Sequence, residues 1–335
     1  MKRFFTLLLF CVFVLTLSAS AASFSDMPND WSTAALESAV ENGLLTGDGN
    51  LLKPRDTLTR AQMATIVVRA LGAEKVADIT EFTDIPENAW YRDEMAKAYY
   101  MNVFRGDGAG HMNPEKPVSR EEAFVVLSRV LLLENAKSDV LDGFSDKALV
   151  SDWAKAPICA MVEKGYVNGS DGKLNPKGNI TRAEFAQLMY NLVALYIDSP
   201  EDLAKLPDRK GNVILRENIS LKDVDVKGDL IVADGVAEDV SFENVQVDGR
   251  LVVRAESDLR FSGKAHEIVS SVDGFTLTLS KDAEVSKITL TGKDSLSVIE
   301  KDEVPPVTPP SDTPPVVTPP IDDDDEEEEI WTGFH

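Results

Sequence analysis

Cysteine, histidine and basic residues are scarce in this 335-residue chain. It has two cysteines, three histidines and 34 basic side chains against 57 acidic ones, which gives a formal charge of −23. So acidic a composition argues against nucleic-acid binding, which relies on basic side chains that contact phosphates. The histidines (His111, His266, His335) lack ligand spacing, and the Asp/Gly turns lack the EF-hand pattern, so no metal and no other cofactor is predicted.

Long apolar runs are also missing, except near the start of the chain. Two basic residues precede an apolar run over residues 4–17, and small residues follow at 19–21. We predict a secretory signal peptide over residues 1–21, because the run is too short for a comfortable membrane span. The mature chain is then predicted to be exported, without a transmembrane segment, and with Cys159 as a buried thiol that has no disulfide partner.

One polar pattern, in contrast, occurs three times in the same phase. Each copy has an aspartate, a tryptophan, a Gly-rich turn with a proline, and then Ser or Thr followed directly by Arg. Self-similarity at a near-fixed period indicates one structural unit made three times. The copies contain Asp26, Trp31, Thr59 and Arg60; Asp84, Trp90, Ser119 and Arg120; and Asp146, Trp153, Thr181 and Arg182.

The Ser/Thr-Arg pair creates a conflict at the start of a predicted helix. Thr59, Ser119 and Thr181 are each followed three residues later by Glu or Gln, a capping box that makes them N-caps. The arginine then occupies the first helical position, where the macrodipole disfavours a cation. One interpretation is an anion site, in which the guanidinium and the helix N–H groups receive a carboxylate or phosphate. The alternative is that each arginine pairs with an aspartate and only stabilises its repeat.

Apolar residues follow a helical period after each tryptophan and after each capping box. This pattern predicts two helices per repeat, each with one buried face; the third stripe extends to Val193. Since no repeat has enough apolar residues for its own core, the three are expected to share one. The tryptophans have two open interpretations, which are packing in that core or forming a flat apolar wall for a sugar ring.

The aromatic-x-Asp, the tryptophan, the Gly-x-x-x-Gly turn (Gly43/Gly47), the proline and the Thr-Arg-Ala-Glu box together resemble the S-layer homology repeat. The copies occupy residues 22–78, 79–138 and 139–200. The resemblance implies an all-α, three-fold pseudo-symmetric module. It also implies that grooves between the repeats bind secondary cell-wall polysaccharide, often pyruvylated, and so hold a protein at the cell surface.

The resemblance further implies that Arg60, Arg120 and Arg182 contact the glycan. The aspartates, tryptophans and cap residues of the same copies complete the candidate glycan-binding set. Copy two departs most from the pattern, with Asn102 in place of the first turn glycine and Glu121 in place of alanine. Because Glu121 adds a negative charge beside Arg120, we expect this groove to bind most weakly.

Beyond residue 200 the pattern changes. Residues 220–232 match residues 241–253 at a spacing of 21, with short alternating apolar pairs. This period predicts an all-β domain over residues 205–300, a β-solenoid whose partner the sequence does not identify; a small β-sandwich is the alternative. Paired prolines and eight consecutive acids predict a stiff spacer and a disordered tail over residues 301–335.

The function predicted from these features is non-enzymatic anchoring at the cell surface. The expected partner is pyruvylated cell-wall polysaccharide or another peptidoglycan-linked polymer, and the β-solenoid would serve as a spacer or display domain. No combination of nucleophile, base and oxyanion donors is recognisable in the sequence. Two alternatives remain open: an exported wall-active enzyme localised by the repeats, and a structural subunit of a surface lattice.

Overall fold

The computed structural model of the protein describes residues 24–206 and 211–300. The signal peptide predicted at residues 1–21 and the proline-rich and acidic segment predicted at residues 301–335 lie outside the described residues.

Six α-helices form the first part of the structure, two in each repeat, as the apolar periodicity predicted. The capping boxes at Thr59, Ser119 and Thr181 are all formed, with the side-chain oxygen accepting the N–H of the third helical residue. Short 3₁₀ segments lie at Ser138–Gly143, Lys147–Leu149 and Pro200–Lys205. The helices are α1 (Thr33–Glu41), α2 (Arg60–Leu71), α3 (Arg92–Tyr100), α4 (Arg120–Val130), α5 (Asp152–Glu163) and α6 (Arg182–Leu192).

The three repeats share one core, as expected from their small number of apolar residues. The second helix of each repeat packs against the first helix of another, in the pairs α2–α3, α4–α5 and α6–α1. A ring of three backbone hydrogen bonds links the segments just before the capping boxes. The N–H of Leu58 donates to Ile180, that of Ile180 to Val118, and that of Val118 to Leu58, each at 2.9 Å. The helical pairs are therefore closed on one another through both side chains and backbone.

The second part of the structure is a β-solenoid of about five turns. All of its strand pairings are parallel, which excludes the alternative of a β-sandwich with antiparallel sheets. Equivalent apolar residues stack in register, as in Leu230, Leu251 and Ile268. The strands are β1 (Val193–Ile197), β2 (Asn212–Leu215), β3 (Leu221–Lys222), β4 (Asp225–Val226), β5 (Leu230–Val232), β6 (Val240–Val253), β7 (Leu259–Ser270), β8 (Thr276–Leu279), β9 (Glu284–Leu290) and β10 (Leu296–Ile299).

The sheet begins earlier than the sequence suggested. Helix α6 ends at Leu192 and β1 starts at Val193, inside the segment assigned to the third repeat. Val193 fitted the helical stripe, but it starts an apolar run that pairs in parallel with β2. A short apolar run at the end of a helix has the same sequence pattern whether it continues the helix or forms a strand. Only the presence of a strand to pair with determines which of the two forms.

One face of the solenoid packs on the helices. Ile214, Ile231, Val252 and Val269 occupy equivalent positions in successive turns and are buried in the same cluster as the helical core. The solenoid interior forms a separate apolar cluster. The two parts therefore share a continuous apolar interface within one compact unit.

Candidate functional site

The N-terminal N–H groups of α2, α4 and α6 already have partners. The N–H groups of Arg60, Arg120 and Arg182 donate to carbonyl oxygens of another repeat at 3.1, 2.9 and 3.0 Å. The next N–H in each helix donates to a proline carbonyl of that same repeat, and the third is bound by the cap residue. These N–H groups are therefore already bonded within the protein, which leaves the guanidinium groups as the donors of the proposed anion site.

The three box arginines cross to the turn of another repeat. The Nε atoms of Arg60, Arg120 and Arg182 donate to carbonyl oxygens at 2.8, 3.0 and 2.9 Å. The Nη2 atoms of Arg60 and Arg182 each donate to a second carbonyl at 3.0 Å. The arginines thus join the repeats, but mainly through backbone carbonyls rather than through the aspartates considered from the sequence.

The aspartates of the pattern accept hydrogen bonds from the N–H groups of the same turns. Asp26 accepts the N–H groups of Leu52 and Lys53, both at 2.7 Å, while the carbonyl of Leu52 accepts Nε of Arg182. The backbone hydrogen bond from Leu52 is the main reason that the pKa of Asp26 is lowered. Asp84 and Asp146 bind the equivalent turns of the other two repeats. Each aspartate and an arginine of another repeat therefore bind the same backbone segment, the aspartate through N–H groups and the arginine through a carbonyl.

The tryptophans are exposed, so their interpretation as core residues is wrong. The exposed fractions of Trp31, Trp90 and Trp153 are 56%, 63% and 55%. Trp90 and Trp153 each line a groove that also contains a box arginine. The ring of Trp31 lies 5.6 Å from the guanidinium carbon of Arg55, within cation–π range.

Two grooves hold the arginines and tryptophans together. The groove around Arg182, here the Arg182 groove, has a volume of about 500 Å³, and the groove around Arg60, here the Arg60 groove, about 400 Å³. The Arg182 groove is lined by residues that include Lys53, Gln62, Arg69, Trp90 and Arg182. The Arg60 groove is lined by residues that include Arg60, Arg105, Lys116, Glu122, Arg129 and Trp153.

Sequence reasoning missed Arg69 and Arg129, although a signal for them exists. Both lie nine residues after the box arginine of their repeat, and the third repeat has Asn191 at that position. In the structure Arg69 and Arg129 line the two grooves from the last turn of α2 and α4. Aligning the three copies beyond the capping box would have revealed the pair.

The grooves concentrate positive charge in a strongly acidic protein. Burial lowers the pKa of Arg60 and of Arg182. Burial also lowers the pKa of Arg129, and the neighbouring charges of Arg105 and Arg60 lower it further. The cationic forms are thus incompletely solvated, although Glu122, Asp84 and Asp107 partly counteract the lowering of the pKa of Arg60, and Asp56 and Asp26 that of Arg182. An anion in the groove would stabilise the cations further.

The three arginines differ in the residue at the third helical position beside them. Nη1 of Arg60 lies 3.4 Å from Oε1 of Glu122, and Nη1 of Arg120 lies 3.3 Å from Oε1 of Glu184. The equivalent residue in the Arg182 groove is Gln62, which is uncharged. Arg182 therefore lacks the third-position carboxylate that Arg60 and Arg120 have, although Asp56 and Asp26 partly compensate its charge and counteract the lowering of its pKa.

Glu121 does not act as its position in the sequence suggested. Its carboxylate is buried, lies 2.6 Å from Nζ of Lys177, and accepts the N–H and hydroxyl of Ser151 at 3.1 and 2.9 Å. The expectation that it competes for the donors of Arg120 is wrong. Arg120 is still compensated by Glu184, and the third repeat has Asn191 at the position of Arg69 and Arg129.

The cysteine, metal-site and membrane-span predictions can also be compared with the structure. Cys159 is buried as predicted, and burial raises its pKa. Within residues 24–206 and 211–300, no cluster of three or more His, Cys, Asp or Glu side chains has the arrangement of a metal site. No helix in the same ranges is long and apolar enough to cross a bilayer.

Comparison with known proteins agrees with the repeat pattern. The family model for the S-layer homology domain matches residues 23–64, 81–124 and 143–186. The chain is 30% identical over 279 residues to "Surface-layer 125 kDa protein" of Lysinibacillus sphaericus, which covers 81% of this chain and 22% of that protein. An alignment of this length extends beyond the three matched segments into the sheet.

Two further relatives match a smaller part of the chain. An amylopullulanase of Thermoanaerobacterium thermosulfurigenes is 29% identical over 176 residues, 51% of this chain and 9% of that enzyme. A cellulosome-anchoring protein of Acetivibrio thermocellus is 30% identical over 151 residues, 42% of this chain and 33% of that protein. The chain therefore spans between about a tenth and a third of the length of these three relatives. The resemblance to the S-layer homology repeat is confirmed.

Proposed function

We propose that this chain, which carries three S-layer homology domains followed by a parallel β-solenoid, anchors itself non-covalently to an anionic cell-wall polysaccharide. The grooves between the repeats of a three-fold pseudo-symmetric helical module bind the glycan. One observation carries this proposal: each of two grooves places at least two arginines beside an exposed tryptophan, in a protein of net charge −23.

The cell surface is the location of the chain. S-layer homology domains attach proteins to that surface, and the relatives include a surface-layer protein. This agrees with the location predicted from the sequence.

The chemistry of the grooves fits a carboxylate carried on a sugar ring. The Nε and Nη2 atoms of Arg60 and Arg182 are held by carbonyls, which fixes the guanidinium plane. Nη1 of Arg60 also bonds Glu122, so a ligand carboxylate there would share this guanidinium with Glu122. A rigid guanidinium edge binds a planar carboxylate better than a lysine ammonium does. The exposed indole of Trp90 or Trp153 then offers an apolar face to the ring. A pyruvate ketal supplies both features in one residue of the glycan.

The grooves are not equal in this proposal. The Arg182 groove binds most tightly because the uncharged Gln62 stands where Glu122 contacts Arg60, and the Arg60 groove follows. The Arg120 site binds most weakly, for the reasons of charge given above.

The test is co-sedimentation of the full chain with purified cell walls, before and after mild acid removal of ketals. Arg60→Lys and Arg182→Lys should each weaken binding by about 1–3 kcal/mol per working groove, the scale of charge-assisted hydrogen bonds. Both should also lower stability, because each arginine bonds to two carbonyls of another repeat. Arg260→Lys, an exposed arginine of the solenoid, is the matched control. Equal binding of acid-treated walls and of all variants would disprove the proposal.

A second function is favoured by the surface-layer relative, whose alignment covers 81% of this chain. In this case the chain is a subunit of a surface lattice, and its grooves attach the lattice to the wall. Light scattering of the purified chain over a range of concentrations distinguishes the two, since an isolated anchor stays monomeric. The third possibility, a wall-active enzyme, predicts release of soluble sugar from purified walls.

A further inference from the structure

Two arginines of the solenoid, the buried Arg254 and the largely buried Arg216, donate to the C-terminal carbonyls of the helices. Arg254 donates through Nη1 to the carbonyls of Arg129 and Val130, at 3.3 and 3.4 Å, and through Nη2 to that of Met101 at 3.1 Å. Its side chain is 5% exposed, and its Nε lies 2.7 Å from Asp234. A cation at this position is favourable because the last carbonyls of a helix lack intrahelical partners and carry the negative end of the macrodipole.

Arg216 makes the equivalent contacts in the first repeat. Its Nη1 donates to the carbonyls of Asn42 and Arg69, at 3.2 and 3.1 Å, and its side chain pairs with Asp198. Asn42 is the C-cap residue of α1, as Met101 is of α3. The third repeat is connected differently, because α6 continues directly into β1.

Two of the carbonyls held in this way, those of Arg69 and Arg129, belong to residues of the grooves. Arg69 lines the Arg182 groove and Arg129 lines the Arg60 groove, and both lie in the last turn of their helices. At the other end, the side chains of Arg69 and Arg129 donate to the carbonyls of Leu44 and Val103, at 3.4 and 3.0 Å. Last turns of helices fray unless their carbonyls are bound. The carbonyls of Arg69 and Arg129 also accept the N–H groups of Gly72 and Leu132, at 3.3 and 3.2 Å, and the solenoid arginines add a second contact to the backbone from which each groove cation projects.

We propose that Arg216 and Arg254 are positioning residues for glycan binding, Arg216 for the Arg182 groove and Arg254 for the Arg60 groove. This inference rests on the proposed glycan-binding function. It assigns the solenoid a role in recognition in addition to any role as a spacer, since removing its contacts alters grooves that it does not line.

The test uses the full chain and removes one clamp at a time. Arg254→Met with Asp234→Asn removes both charges, so that no buried carboxylate loses its partner. Arg216→Met with Asp198→Asn does the same at the first repeat. The matched control is Arg250→Met with Asp229→Asn. Arg250 is an equally buried arginine of the solenoid, paired with Asp229 at 2.6 Å, whose Nη1 donates instead to Leu132, outside both grooves.

Each double variant is combined with a background that leaves one of the two grooves working. Arg182→Ala leaves the Arg60 groove, and Arg60→Ala leaves the Arg182 groove. Calorimetric titration with a pyruvylated disaccharide should show that the Arg254 pair weakens the Arg60 groove about three- to tenfold, the scale of a misplaced charge-assisted contact, and hardly changes the other. The Arg216 pair should show the reverse, and the control pair should change neither. Equal losses in both grooves, or no loss, would overturn the inference.

A second measurement separates this inference from the proposed function. In a chain with ¹⁵N-labelled arginine, the Nε–H signal of Arg129 should be sharp in the parent and control and broadened in the Arg254 pair. If the parent does not bind the glycan but this signal changes, the positioning role stands and the glycan proposal fails. If glycan binds and the signal is unchanged, the positioning role is wrong. If the double variant does not fold, Arg254→Lys replaces it, because a lysine keeps Asp234 paired. The same titration and the same Arg129 signal are then measured.

Discussion

Gln62→Glu gives the Arg182 groove the carboxylate that the other two arginines already have. Glu122 shows where it would lie, since its Oε1 is 3.4 Å from Nη1 of Arg60. Two unit charges at that separation attract by about 5 kcal/mol at an effective dielectric constant of 20, which is an upper limit. The side chains of Arg60 and Glu122 are 12% and 16% exposed, so solvent reduces this value toward the range of partly exposed pairs. We expect a loss of about 1–2 kcal/mol, or about five- to thirtyfold in affinity for an anionic ligand.

Stability should not fall in the same variant. Oε1 of Gln62 accepts the N–H of Thr59 in the capping box, and a glutamate accepts it equally well. A negative charge in the first turn also favours the helix. The variant therefore separates affinity from stability.

The assay is calorimetric titration with a pyruvylated disaccharide in the Arg60→Ala background, at two salt concentrations. Gln246→Glu adds the same charge on the solenoid, far from the groove, and serves as the control. The reverse change, Glu122→Gln, should strengthen the Arg60 groove by a similar factor. Unchanged or tighter binding in Gln62→Glu would refute the reasoning that the uncharged Gln62 makes this groove the strongest.

Three other predictions follow from contacts described above. Trp90→Ala should weaken the Arg182 groove by about two- to tenfold, the worth of an aromatic contact, and change stability by less than about 0.5 kcal/mol because the ring is exposed; a large drop in melting temperature would contradict this. Asp26 has a lowered pKa, so it stabilises the fold above its unfolded value of about 4 and loses this effect as the pH falls through the folded value. Asp26→Asn should therefore be less stable at pH 7 but lose less stability than the parent between about pH 4 and pH 2, measured by chemical denaturation. Gly235→Ala should cost about 1–3 kcal/mol, because a Cβ there would lie 2.6 Å from the carbonyls of Gly72 and Arg216; an unchanged unfolding midpoint would show that the interface can yield.

The local features of the fold were predictable because their causes lie within a few residues. The capping boxes at Thr59, Ser119 and Thr181 depend on a partner three positions away, and all three formed. The solenoid was predictable because its 21-residue period repeats the same alternation. The start of β1 was not, since Val193 satisfies the helical pattern and its partner strand lies across a turn of the solenoid.

The candidate site was predictable only in part, because the sequence pointed to Arg60 and Arg182 but not to Arg69 and Arg129, nor to the groups that these arginines bond. Arg60 was chosen for its conflict with the helix dipole, yet its Nε acceptor is the carbonyl of Met112, 52 residues away. Sequence spacing cannot show that the helix N–H groups are already bonded by another repeat. In the sequence, Gln62 is only a position at which the first copy differs from the other two. The contact between Glu122 and Arg60 shows that this position controls a charge next to a box arginine.

The ring of hydrogen bonds among Leu58, Val118 and Ile180 also governs when the module can fold. The bond between Leu58 and Ile180 closes a loop of more than a hundred residues, so the first repeat lacks part of its structure until the third has been synthesised. Contacts of such long range slow folding, since the entropy of loop closure is lost before the contact is gained. A chain that emerges from a membrane channel N-terminus first would therefore lack this ring until the third repeat has followed. Closure of the module would thus be completed only on the far side.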